Sequence, residues 1–86
     1  MQLLYARCAG LDVHARQVVA CARLVVQQEV TYHRLTVPTT TRGLLELADW
    51  VTRHEVTHVV MESTGIYWQS VFNLLEGHFK TWVVNA

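Results

Sequence analysis

The chain has little cysteine, one proline and no long apolar run, and each shortage closes off a class of protein. Cys8 and Cys21 are too few and too scattered for a disulfide scaffold or a Cys-x-x-Cys metal site, and they read as reduced, mostly buried thiols. The apolar stretch over residues 18–26 is interrupted by Arg23 and falls well short of the roughly 20 residues that cross a bilayer. No basic segment followed by an apolar one and a small-residue cleavage site opens the sequence, so the expectation is a cytoplasmic protein without membrane contact. Charge is also scarce. Only 16% of residues are charged, the formal net charge is zero, and the seven basic residues are dispersed. A stand-alone nucleic-acid binder usually carries a basic stripe. If this chain acts on nucleic acid, most phosphate contacts are expected to come from elsewhere.

What is present is apolar: 51% of the 86 residues are hydrophobic, which favours one small compact domain over disorder. A domain of this size buries only about 60–65% of the surface of its unfolded chain, so its stability is marginal. Residues 5–13 and 17–26 read as two strands joined by the short polar turn His14-Ala15-Arg16. Gln27-Gln28-Glu29 makes a second tight connection to a third strand over residues 30–37, giving an antiparallel meander that Pro38 stops. Thr39, Thr40 and Thr41 then offer helix-capping hydroxyls. Leu44, Leu47, Ala48 and Val51 fall at i, i+3, i+4 and i+7, an amphipathic helix running to about residue 54. Glu46, Asp49 and Arg53 form its solvated face, with Asp49 and Arg53 placed to pair.

Residues 57–62 read as a fourth strand, followed by a turn at Ser63-Thr64-Gly65, a helix over residues 66–76 with Gly77 as its C-terminal cap, and a fifth strand over residues 79–84. The order is β-β-β-α-β-α-β. The final strand–helix–strand unit makes the last two strands parallel, so the expected fold class is α/β, a mixed five-stranded sheet with helices on at least one face.

Two carboxylates stand out. Asp12 interrupts the apolar run Gly10-Leu11-Val13, where an unpaired charge, if fully desolvated, costs several kcal/mol, so it lies near water or holds a cation. Glu62 closes the fourth strand in the same way. If these strands are parallel neighbours about 4.8 Å apart, both acids sit at their C-terminal ends and can share one cation. Sites in open α/β sheets form there, where the strand order reverses. Mg²⁺ suits two carboxylates and retained waters. The plainer readings are a turn-forming Asp12 and a Glu62 that favours the positive end of the following helix.

Gly10-Leu11-Asp12-Val13-His14 and Val60-Met61-Glu62-Ser63-Thr64-Gly65-Ile66-Tyr67-Trp68 resemble the first two signature blocks of the DEDD-type bacterial transposases, the insertion-sequence 110 family with its Piv-type invertase relatives. Thr39-Thr40-Thr41-Arg42-Gly43-Leu44, Asn73-Leu74-Leu75-Glu76-Gly77 and Trp82-Val83-Val84-Asn85-Ala86 continue the likeness from about Cys8 onward. The resemblance implies a RuvC-like fold of the RNase H superfamily and Mg²⁺-dependent DNA strand cleavage and transfer in transposition or site-specific recombination. DNA is the implied partner, with guide RNA in some members. Asp12 and Glu62 match the family's first and second catalytic, metal-binding acids. The family's third and fourth acids, and a C-terminal domain with a nucleophilic serine, lie beyond the matched blocks, and Ser63 and Ser70 do not stand in for that serine. The expectation is therefore a partial N-terminal domain over residues 1–86, inert by itself.

Ser63 and Thr64 flank the acid pair as holders of water or phosphate, or as plain caps. Tyr67 is a further flanking candidate, whereas Trp68 reads as a packing aromatic and His14 as a turn residue. His33, His54, His58 and His78 show no ligand spacing. Trp82 and Val83 are expected to be exposed and to drive a homo-oligomer. Two other readings stay open. One is an ATP-binding domain of the actin and sugar-kinase type, although the turn after Asp12 lacks the glycine such a site uses. The other is a non-catalytic remnant acting only through association.

Overall fold

The computed structural model describes residues 5–63, 65–76 and 80–85, the last six as backbone. Strands β1 (Arg7–Val13), β2 (Gln17–Val26) and β3 (Glu29–Pro38) form the meander, followed by helix α1 (Thr41–Arg53), strand β4 (His58–Ser63), helix α2 (Trp68–Leu75) and strand β5 (Lys80–Asn85). The sheet runs β3-β2-β1-β4-β5, with β1 antiparallel to β2 and parallel to β4. This mixed α/β sheet with two helices agrees with the sequence reading, and β2 has the expected limits. The β2–β3 loop is the two residues Gln27 and Gln28, both at positive φ (51° and 70°), the conformation whose twist suits a two-residue hairpin.

Strand alternation gives the sheet two different faces. Ala9, Leu11, Val13, Val18, Ala20, Ala22, Leu24, Val37, Val59 and Met61 line one face and pack in a single core with Leu44, Leu47, Trp50 and Val51 of α1 and Val71 and Leu75 of α2. The opposite residues of each strand make a second face, which carries Gly10, Asp12 and Glu62. Neither described helix covers this face: among the described residues nothing lies within 4 Å of a Cβ built on Gly10, while Cys8 and Val60 beside it are buried.

Helix α1 starts where the threonines indicate. The Gly43 backbone N–H donates to Oγ1 of Thr40 at 3.1 Å, and Asp49 and Arg53 pair at 2.9 Å. Its first turn presses on the end of β3: a Cβ at Gly43 would lie 2.1 Å from the Pro38 carbonyl oxygen, so the glycine permits that approach. Helix α2 differs from expectation. It begins at Trp68, after a turn in which Gly65 has φ of +58°, and its N-cap is Tyr67 with no side-chain capping bond. Ser63 therefore does not cap it, and Glu62 lies outside its first turn, because the turn after β4 consumes the residues between. Thr64, Gly77 and Phe79 lie outside the described residues, as do the side chains of Trp82 and Val83.

Candidate metal and strand-cleavage site

The parallel register sets Leu11 beside Met61, Asp12 beside Glu62 and Val13 beside Ser63. In a parallel pair, residues side by side point to the same face. Leu11, Met61, Val13 and Ser63 are buried beneath the helices, so the two acids emerge together on the open face. Both are exposed, near the C-terminal ends of their strands. At this point β1 has an antiparallel neighbour on one side and a parallel one on the other, the topological switch at which α/β sheets bind ligands.

Asp12 keeps 57% of its side-chain surface, and its Oδ2 lies 3.1 Å from Nε2 of His14. His14 starts the β1–β2 turn, and its backbone N–H donates to the Gln17 carbonyl at 2.9 Å while Thr39 Oγ1 donates to the His14 carbonyl at 2.8 Å. These bonds fix the turn in which His14 sits, as its reading as a turn residue expects, and its imidazole lies beside the Asp12 carboxylate as well.

Ser63 is only 8% exposed and lies on the helix-facing side, away from the acids, so it does not flank them. Tyr67 is exposed beyond the turn after β4, and Trp68 packs edge-on against Phe72 with ring centres 5.9 Å apart, as a packing aromatic does. Among the described residues no three His, Cys, Asp or Glu side chains come together as a metal cage. The described donors are the two carboxylates, whose hard oxygen chemistry fits Mg²⁺ held with several retained waters.

Cys8 is fully buried on the acid-bearing side of β1, and burial pushes its thiol above the ordinary range while Arg23 partly offsets this. It is inert packing, as expected. The same face gathers residues that composition left dispersed. Arg23 and Arg34 share it with Tyr32, because Arg23 faces Tyr32 and Cys21 faces Arg34 in the β2–β3 ladder. The missed signal is strand parity carried through two tight hairpins.

Residues 9–86 match the transposase family of the DEDD, insertion-sequence 110 type. The chain belongs to this transposase family. No curated protein matches this transposase domain. Its fold is similar to that of Archaeoglobus fulgidus Pelota, at 13% identity and a TM-score of 0.68, over 93% of this chain and 26% of that one. Fowlpox virus resolvase, solved with substrate Holliday junction DNA, is similar at 12% identity and a TM-score of 0.61, over 93% of this chain and 59% of that one. An exopolyphosphatase from Cytophaga hutchinsonii is similar at 12% identity and a TM-score of 0.54, over 92% of this chain and 34% of that one. The chain thus spans between about a quarter and three fifths of the length of these solved structures, and shares with them its arrangement of sheet and helices.

Proposed function

We propose that the transposase domain supplies two of the acids with which a complete enzyme cleaves and transfers DNA strands during transposition. The observation that carries this reading is the side-by-side register of Asp12 and Glu62 on an open face, in a chain whose residues 9–86 match the transposase family. Both acids are catalytic ligands in this reading. A Mg²⁺ held between them would polarise a scissile phosphate and stabilise the charge that develops on its oxygens. His14 orients the Asp12 carboxylate through their 3.1 Å contact. Tyr67 stands at the edge of the reading, as an exposed aromatic beyond β4 that flanks an incoming strand; Ser63 has no such part.

In this reading the pair is half of the family's four-acid site, so these 86 residues tested alone are expected to hold Mg²⁺ weakly and not to cleave DNA, and the two acids act once the family's other ligands join them. The natural assembly on this reading is a homo-oligomer on DNA, and guide RNA is a partner only if the chain follows those members of the family that use one. The fold alone does not separate nucleases from phosphate-processing enzymes, since both kinds of neighbour share it. The turn after Asp12 favours the nuclease side. It has no glycine, and His14 already spends its backbone N–H on Gln17, which leaves a poor cradle for nucleotide phosphates.

Mn²⁺, a paramagnetic substitute for Mg²⁺, tests the reading. Its titration should broaden the amide resonances around Asp12 and Glu62 first, at millimolar metal, and Asp12→Asn should abolish that pattern. Broadening centred elsewhere would remove the assignment, and robust nicking of supercoiled DNA by the 86-residue chain with Mg²⁺ would overturn its inertness.

A further inference from the structure

We propose that Arg34, with Arg23 and Tyr32, forms a lane on the open face of the sheet that carries the DNA backbone toward the acid pair. The inference rests on the nuclease reading for the identity of its ligand, and on strand register for its geometry. Asp12 lies beside Val19, Val19 beside Thr36, and Arg34 stands two residues along β3 from Thr36. With strands about 4.8 Å apart and a rise of about 3.3 Å per residue, the backbones at Asp12 and Arg34 are roughly 12 Å apart on one face. Arginine side chains bridge much of that span, so a phosphate on Arg34 lies close along the strand to one at the acids. Arg23 and Tyr32 stand side by side one step further on.

Several observations set this surface apart. Arg34 is exposed and has no carboxylate partner among the described residues; Arg16 in the β1–β2 turn and Arg42 on α1 share that state but lie off this face, and Arg53 is held by Asp49 while Arg7 reaches the His54 carbonyl and Glu55. Asp12 and Glu62 are the only acids that the described strands place on this face; Glu29 alternates to the other. Positive charge therefore lies on one part of the face and the cation-binding acids on another, the distribution that suits a polyanion ending at a metal. Tyr32 is 65% exposed and offers a ring on which a base can stack. Between the arginines and the acids, Gly10 presents no side chain, which lets a sugar-phosphate chain come closer to the sheet backbone there. The paired basic side chains with an exposed aromatic beside them favour DNA over an acidic protein, which has no base to stack on that ring.

The test is fluorescence anisotropy of labelled duplex and single-stranded oligonucleotides with the 86-residue chain, across a salt series without divalent metal. Each phosphate contact contributes about 0.9 to the slope of log affinity against log salt for duplex and about 0.7 for single strands. Arg34→Gln should reduce the slope by that amount and weaken binding equally for every sequence. Arg42→Gln, on the helix side of the sheet, should leave it unchanged. Tyr32→Ala should weaken single-stranded more than duplex binding. Arg23→Gln is read only after its circular dichroism matches the parent, because Arg23 also contacts Cys8. An unchanged slope for Arg34→Gln, an equal loss for Arg42→Gln, or no DNA binding by the parent chain would each overturn the lane. The Mn²⁺ titration is run without DNA and this assay without metal, so failure of the metal assignment shows there and failure of the lane shows here.

Discussion

Replacing Glu62 with Gln should stabilise the metal-free chain and reduce what Mg²⁺ adds. Asp12 and Glu62 are directly opposed across a parallel pair, and both are exposed. At a separation of about 6 Å in a water-like medium, two unit charges repel by about 0.7 kcal/mol. That agrees with the range of about 0.2–1 kcal/mol for cross-strand charged pairs. For a domain of this size such a gain raises the melting temperature by about 3–6 °C. Added metal acts in the other direction. With a dissociation constant of about 1 mM, 10 mM Mg²⁺ stabilises the parent chain by about 1.4 kcal/mol, and a tenfold weaker site in Glu62→Gln gains only about 0.4 kcal/mol. The variant should therefore melt higher without Mg²⁺ and lose that advantage with it. Thermal melts by circular dichroism at matched ionic strength, with KCl replacing MgCl₂ as the control, measure both. Equal shifts with Mg²⁺ in parent and variant, or a variant less stable without metal, would refute the argument that these two acids face each other and share a cation.

Two glycine substitutions should act in opposite directions. Gly43→Ala forces a Cβ against the Pro38 carbonyl and should cost about 1–3 kcal/mol in urea denaturation. Gly10→Ala meets no described atom within 4 Å and should gain about 0.5–1 kcal/mol, because a strand interior favours alanine over glycine. His54 makes stability pH-dependent. Its ring is held below the ordinary histidine value of about 6.5, first by burial and then by His33, whose ring centre lies 4.5 Å away, and by Arg53 and Arg7. A depressed histidine is neutral in the folded state while its unfolded counterpart takes up a proton. Its contribution is thus complete above about pH 6.5 and is lost as pH falls toward the folded-state value. His33→Gln should move the His54 NMR titration upward and flatten the acid limb of stability; an unmoved titration would remove His33 as a cause.

Regular alternation and tight turns made much of the meander legible: β2 appears with its expected limits, and the cap at Thr40 follows from hydroxyl chemistry next to an apolar stripe. Helix α2 is present as its spacing indicates but starts two residues later, because Gly65 at positive φ turns Ile66 and Tyr67 outward into solvent. That displacement also separates Ser63 from any capping role. The acid pair was visible because Asp12 interrupts an apolar run and Glu62 ends one, local irregularities that sequence displays directly. The arginines carry no such mark. Arg23 and Arg34 are eleven positions apart in the chain, and they share a face only because the loop of Gln27 and Gln28 is two residues long and sets the ladder so that Arg23 meets Tyr32 and Cys21 meets Arg34. One residue more in that loop would turn Arg34 toward the helices and bury its charge beside the core. A surface assembled through turn length is invisible to composition, and a chain with no net charge can still present a basic lane when alternate residues of neighbouring strands are sorted onto one side.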